Sequence, residues 1–127
     1  MQDAHPFAVH FRQDNPHATE RIGVYDQALA LTTLVDVLVE SSQARFHLKD
    51  LLDKSATLVA MRVAQAAGET SKQERRRQYR VARRAATDVA AVLDIMARRP
   101  GMNQGVLAPA KQNVMELVSR LAILSTK

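Results

Sequence analysis

The strongest constraint on this chain of 127 residues is an apolar spacing of three and four residues that recurs in four separate stretches. Such spacing places apolar side chains along one face of an α-helix, whereas a half-buried strand would need strict alternation. Four amphipathic helices with short connections are typical of an all-α fold. We predict an antiparallel up-down-up-down four-helix bundle.

The apolar faces of the four stretches are the predicted core. The first face contains Val24, Ala28, Leu31, Val35 and Leu38, and it is widened by Ile22, Tyr25 and Leu29. The second is broader and contains Leu48, Leu51, Leu52, Ser55, Leu58, Val59, Val63 and Ala66. The third contains Tyr79, Ala82, Ala86, Val89, Leu93 and Met96. The fourth contains Leu107, Ala110, Val114, Leu117, Leu121 and Leu124.

We predict helices over residues 19–39, 44–67, 71–98 and 103–125. Together they make residues 19–127 one bundle domain, because a chain of this length is one domain on ordinary size grounds. Residues 1–18 lack an apolar seam, and we expect an irregular N-terminal arm there.

Residues that begin or end helices lie between the stretches. Gly68 can close the second helix in a left-handed cap. Ser71 and Glu74 have the spacing of a capping box, in which the hydroxyl and the carboxylate each accept a hydrogen bond from a free backbone N–H. Pro100 ends the third helix, because proline cannot continue the hydrogen-bond ladder.

The amino-acid composition excludes several classes of function. The chain has no cysteine, which excludes disulfide scaffolds, thiolate zinc sites and cysteine nucleophiles. Its histidines lack the spacing of a helical metal site; they are His5, His10, His17 and His47. No phosphate-binding loop or catalytic motif is present. We expect no enzyme activity, no metal and no cofactor.

Membrane and secretion signals are also missing from the sequence pattern. No uninterrupted apolar run approaches about 18 residues, the length that a membrane span requires. The first residues lack the basic start and apolar centre of a signal peptide. We therefore expect a cytoplasmic protein without a membrane partner.

Positive charge is concentrated on the third stretch. Residues 72–99 hold nine basic and three acidic side chains, a net charge of +6, while the whole chain is +5. At 100° per residue, six arginines fall away from the third apolar seam. This arginine face comprises Arg76, Arg77, Arg80, Arg83, Arg84 and Arg98.

Two interpretations of the arginine face are open. It is a contact surface for the phosphate backbone of RNA or DNA, because the planar guanidinium matches phosphate oxygens in pairs. Alternatively, it is a solvated helix face partly paired with Glu74 and Asp88.

A second apolar line runs along the third helix, about a third of a turn from the first. It consists of Val81, Ala85, Val92 and Ile95. The line is either the edge of a wide core face or a subunit interface that stacks bundles side by side.

Residues 56–96 carry a family resemblance. The end of the second helix, residues 62–69, is followed by Ser71-x-x-Glu74 and Tyr79-x-x-Ala82, and then by Ala85-Ala86 and Asp88. In this pattern the chain resembles the small four-helix-bundle proteins encoded in intervening sequences of 23S ribosomal RNA genes. That family includes the accessory protein of diversity-generating retroelements. With Tyr25-x-x-Ala28-Leu29 and the leucine-rich fourth helix, the resemblance covers about residues 20–125.

The resemblance implies a pentamer of bundles with a basic surface that binds nucleic acid. In the retroelement branch it also implies a reverse transcriptase as partner. Our first hypothesis is therefore a non-enzymatic, homo-oligomeric helical bundle that binds nucleic acid through the arginine face. The alternative is a protein-interaction adaptor, such as a reverse-transcriptase accessory subunit. A reverse-transcriptase gene beside this one would favour the adaptor, and a location within a ribosomal RNA gene would favour the first hypothesis.

Overall fold

The computed structural model of the chain describes residues 18–127, so the predicted arm lies outside the described residues except for its last residue. Four helices account for most of this range: α1 (Ala18–Ser41), α2 (Phe46–Ala67), α3 (Lys72–Ala97) and α4 (Gln104–Leu124). No strand occurs within residues 18–127. The predicted all-α class is confirmed, and every helix end lies within two residues of its predicted position.

Each helix packs against two others, in the pairs α1–α2, α2–α3, α3–α4 and α4–α1. At one end, Lys127 Nζ lies 3.4 Å from Glu20 Oε2, and Arg80 Nη1 donates to the Ser125 carbonyl at 3.4 Å. At the other end, Ser42 Oγ donates to Met102 Sδ at 3.3 Å and so joins the α1–α2 and α3–α4 connections.

The predicted seams of α1, α3 and α4 are buried in full. Of the three residues expected to widen the α1 face, Tyr25 is buried, Ile22 is half-buried and Leu29 is 36% exposed.

The prediction for α2 is too broad. Leu51 and Leu58 are 46% and 39% exposed, although we expected both in the core. Each precedes a fully buried residue by one position, Leu52 and Val59 respectively, and one position turns a helix by about 100°. The two leucines therefore lie beyond the edge of the surface that α1 and α3 cover.

The predicted helix ends are confirmed in position but corrected in two details. The Glu74 N–H donates to Ser71 Oγ at 3.3 Å, which is half of the capping box. The Glu74 carboxylate accepts instead from Arg77 and Gln78. Gly68 has a φ of −84°, so it does not adopt the left-handed cap. The left-handed glycine is Gly101, with a φ of 81°, directly after Pro100.

One helix bears on the expectation that no segment crosses a membrane. Thr19–Ser41 is, by length and composition, apolar enough to cross a membrane, although charged residues interrupt its apolar run. A core helix of a soluble protein and a signal sequence both pass the same test, and 33% of the apolar window is buried within the chain. The cytoplasmic location stays a prediction.

Two adjacent leucines of α2 test the boundary of the core. We expect Leu52→Ala to lower the free energy of unfolding by about 2–5 kcal/mol, because it leaves a cavity among fully buried neighbours. Leu51→Ala removes the same atoms from a half-exposed position, so its loss should stay below about 1 kcal/mol. Urea unfolding followed by circular dichroism measures both values. An equal loss of unfolding free energy in the two variants would contradict the assigned rotation of α2 about its axis.

Two glycines test the corrected helix ends. Gly101→Ala should cost about 1 kcal/mol or more, because a Cβ strains the left-handed backbone. Gly68→Ala should be neutral or slightly stabilising, since its φ suits alanine and the added Cβ would meet Ala64 O at an ordinary 3.5 Å. Thermal unfolding of the two variants gives the comparison. A larger loss at Gly68 than at Gly101 would refute this assignment.

Candidate nucleic-acid interface

Burial of the α3 seam determines where the arginine face points. Tyr79, Ala82, Ala86, Val89, Leu93 and Met96 are all buried against the other helices. On the far side of α3, Arg77, Arg80, Arg84 and Arg98 are exposed, while Arg76 and Arg83 are half-buried at its margins. All six predicted arginines therefore keep contact with solvent.

Two arginines of the face are held by partners within the chain. Arg77 donates to both carboxylate oxygens of Glu74, and its Nη2 lies 2.5 Å from Oε2. Arg80 Nη1 reaches the carbonyl of Ser125 at 3.4 Å. These contacts hold both guanidinium groups close to the protein surface.

The other four arginines have no ion-pair partner within residues 18–127. Among the described residues, no carboxylate lies within 4.0 Å of Arg76, Arg83, Arg84 or Arg98. We call these four the open arginines. Asp94 on the same helix pairs with Lys111 of α4, and Asp88 makes no ion pair with the face. The predicted pairing is thus present at Glu74 and absent at Asp88.

A groove between α3 and α4 lies beside the open arginines. It encloses about 630 Å³ and is lined by Arg83, Arg84, Thr87, Asp88 and Val118. The Thr87 hydroxyl donates to the Arg83 carbonyl at 2.9 Å, so it serves its own helix. The guanidinium groups are the cationic donors at this groove, whereas Asp88 contributes an acceptor only.

Glu74 and Arg77 stabilise each other's charged form. Hydrogen bonds from Arg77, and next from Gln78, hold the pKa of Glu74 below its usual range. The same pairing with Glu74 raises the pKa of Arg77. The Arg77–Glu74 pair therefore contributes no net charge to the surface, whereas each open arginine contributes one positive charge.

Two residues of the second apolar line lie in the core, and the other two reach the surface. Ala85 and Val92 are buried within the single chain, Val81 is half-buried and Ile95 is 46% exposed. Two of the four residues thus belong to a wide core face. Within this line, only Val81 and Ile95 offer apolar area to a second subunit.

Sequence reasoning missed a buried cation at the start of α1. Arg21 is only 4% exposed, and its Nε has no hydrogen-bond partner. Burial, with the nearby charge of Arg75, lowers the pKa of Arg21 below its ordinary value. The periodicity of α1 places this arginine on the buried face, because it lies three positions before Val24 and continues the seam's spacing of three and four. A search for apolar residues passes over it, since arginine is ordinarily solvated.

Metal-ligating side chains do not gather in the described part of the chain. His47 is exposed on α2, while His5, His10 and His17 lie outside the described residues. Residues 18–127 contain no group of three histidine, aspartate or glutamate side chains that could hold a metal ion.

Over residues 18–127, the fold and the site together define an all-α arrangement of four helices with a basic helix face. No family model, curated protein or solved structure matches this chain.

The Glu74–Arg77 pair gives a pH prediction. The pKa of Glu74 is lowered in the folded chain, so the ionised group stabilises the fold above the unfolded pKa of about 4.3. That contribution is lost as pH falls through the folded pKa. NMR titration of the Glu74 carboxyl should give a midpoint below 4.3, and Arg77→Gln should raise it. An unchanged midpoint in Arg77→Gln would show that Arg77 is not the cause.

Proposed function

We propose that this protein is a non-enzymatic, homo-oligomeric helical bundle that binds the phosphate backbone of RNA or DNA through the arginine face of α3. The observation that carries this proposal is the set of open arginines, which have no carboxylate partner among the described residues. Cations paired within the chain would gain little from phosphate, whereas unpaired guanidinium groups gain a bidentate partner.

An antiparallel up-down-up-down arrangement is part of the proposal. Contacts between helices support it, because residue numbers fall along one helix as they rise along its neighbour. On α1 and α4, Glu20 meets Lys127 while Gln27 meets Asn113. On α3 and α4, Arg80 meets Ser125 while Asp94 meets Lys111. Each of these two sets of contacts has the pattern expected of two helices that run in opposite directions.

The length of α3 is suited to contact with the phosphate backbone of a nucleic acid. Arg76 and Arg98 are separated by 22 positions, or roughly 33 Å of helix at 1.5 Å per residue. This is close to the rise of one turn of duplex DNA, about 34–36 Å. One chain can therefore meet phosphates at two separated places, through Arg76, Arg83 and Arg84 at one place and through Arg98 at the other.

Oligomerisation would add avidity to this surface. The family resemblance implies a pentamer, which would repeat four open arginines around a ring. Exposed apolar side chains on two neighbouring helices support self-association: Leu51 and Leu58 on α2, and Ile95 on α3. The resemblance to the proteins of ribosomal RNA intervening sequences is likewise part of the proposal.

Two variants of equal charge test the binding surface. The first replaces the open arginines Arg76, Arg83, Arg84 and Arg98 by Gln. The control replaces four basic residues outside α3 by Gln, namely Arg45, Lys54, Arg62 and Lys127. Both variants lower the net charge from +5 to +1.

We expect the α3 variant to lose more than about tenfold in affinity for an RNA hairpin or a DNA duplex at one fixed salt concentration. The control should lose much less, because its cations are spread over other elements. Fluorescence anisotropy gives both values, and circular dichroism checks that each variant is folded. Equal losses would mean that net charge, and not the α3 surface, governs binding. If the unmodified protein binds neither nucleic acid, the adaptor hypothesis takes precedence.

A further inference from the structure

An apolar groove lies between α1 and α2, and α3 contributes no residue to its lining. It encloses about 570 Å³, with one wall from Tyr25 to Thr32 on α1 and the other from Thr57 to Gln65 on α2. Two large apolar side chains at this groove, Leu29 and Met61, are exposed to water. Exposed apolar side chains that line one concave surface are a feature of binding sites.

The threonines of the groove do not offer their hydroxyl groups to an occupant. The Thr32 hydroxyl donates to the Leu29 carbonyl at 2.6 Å, and the Thr57 hydroxyl donates to the Asp53 carbonyl at 3.0 Å. Both hydroxyl groups therefore serve their own helices. An occupant of the groove gains mainly apolar contact, so its own side chains must be apolar.

The chain supplies such a segment in the N-terminal arm, which lies outside the described residues. Phe7, Val9 and Phe11 occupy alternate positions there. In an extended backbone, residues at alternate positions lie on one face. Phe7 and Phe11 are then about 13 Å apart, at about 3.3 Å per residue. The α1 wall from Tyr25 to Thr32 is about 10 Å long, at about 1.5 Å per residue, so the two lengths are similar.

The connection to α1 is long enough for the arm to reach the groove. Phe11 precedes Ala18, the first residue of α1, by seven positions, which span up to about 23 Å when extended. Tyr25 lies only about 10 Å along the helix from Ala18. Asn15-Pro16 is a sequence signal for a turn. A turn at that place directs the arm back along its own helix.

We propose that the N-terminal arm of the same chain binds in this groove, with Phe7, Val9 and Phe11 packed against Leu29 and Met61. The free energy of binding comes from the removal of apolar surface from water. Methionine suits this contact, because its flexible thioether adapts to neighbouring shapes and packs favourably against aromatic rings.

The size of the groove favours a tethered segment over a separate protein. A stable interface between two proteins takes roughly 20–30 residues from each side, whereas eight residues line this groove. A segment of the same chain is present at a high effective concentration, so that fewer contacts are sufficient. The groove is also independent of the arginine face, so the nucleic-acid proposal and this one can fail separately.

The substitution Phe11→Trp reports on binding of the arm, because the chain has no tryptophan of its own. We expect tryptophan emission at a shorter wavelength in the folded chain than in urea, since the indole leaves water. Adding Met61→Asp should move the emission towards that of the unfolded chain, because a carboxylate opposes burial beside it. Met115→Asp is the matched control: Met61 and Met115 are 54% and 48% exposed, and Met115 lies on α4. Circular dichroism checks that each variant is folded.

Three results of the fluorescence experiment would overturn the proposal. The first is an emission in the folded chain that equals the emission in urea. The second is an equal effect of Met61→Asp and Met115→Asp, which would place the arm elsewhere. The third is a shift that depends on protein concentration, which would assign the contact to the arm of a second copy.

Thermal unfolding of chains without tryptophan gives an independent measurement. Phe11→Ala should lower the Tm by roughly 3 °C or more. If Phe11 contacts Met61, the loss in the double variant with Met61→Ala should be smaller than the sum of the two single losses. The double variant of Phe11→Ala with Met115→Ala should show additive losses. An unchanged Tm in Phe11→Ala, or additive losses with Met61→Ala, would overturn the proposal.

Discussion

The rotation of α3 about its own axis is the constraint on which the rest of the arrangement depends. Tyr79, Leu93 and Met96 can leave water only by packing against the other helices, and their burial fixes that rotation. Arginine side chains on the opposite side of α3 therefore face away from the core. The hydrophobic packing that stabilises the bundle therefore also places the cationic groups of α3 along one outward face. Stability and the candidate binding surface are two consequences of one amphipathic pattern.

Much of this arrangement could be predicted from the sequence, because α-helical periodicity is a local property. The seams of α1, α3 and α4 are buried as the spacing indicates, and the helix ends follow from Ser71 and Pro100. Leu51 and Leu58 could not be assigned correctly, because the width of a buried face depends on the neighbouring helices. The left-handed glycine was also misplaced: Gly68 precedes the short turn before Ser71 without adopting a positive φ, whereas Gly101 follows a proline and does.

The electrostatic part of the site was predictable only in outline. Sequence spacing places Glu74 and Asp88 within reach of the arginine face, yet only Glu74 pairs with it, because rotamers and competing donors decide such contacts. Arg21 lies in register with the α1 seam, three positions before Val24, but a search for apolar residues passes over it, since an arginine in the first turns of a helix is ordinarily solvated. The packed structure therefore separates two kinds of arginine: those exposed or half-buried along the outer face of α3, and one enclosed near the start of α1.

The salt dependence of nucleic-acid binding by the unmodified chain tests the central claim most directly. Fluorescence anisotropy with a structured RNA and a duplex DNA, each at several salt concentrations, gives the slope of log K against log salt. Four open arginines per chain predict a slope of about −3.6 on duplex DNA, at roughly 0.9 per neutralised phosphate, and a steeper one if several chains engage one duplex. Absence of binding at low salt, or a slope near zero, would contradict the claim that this surface recognises phosphate.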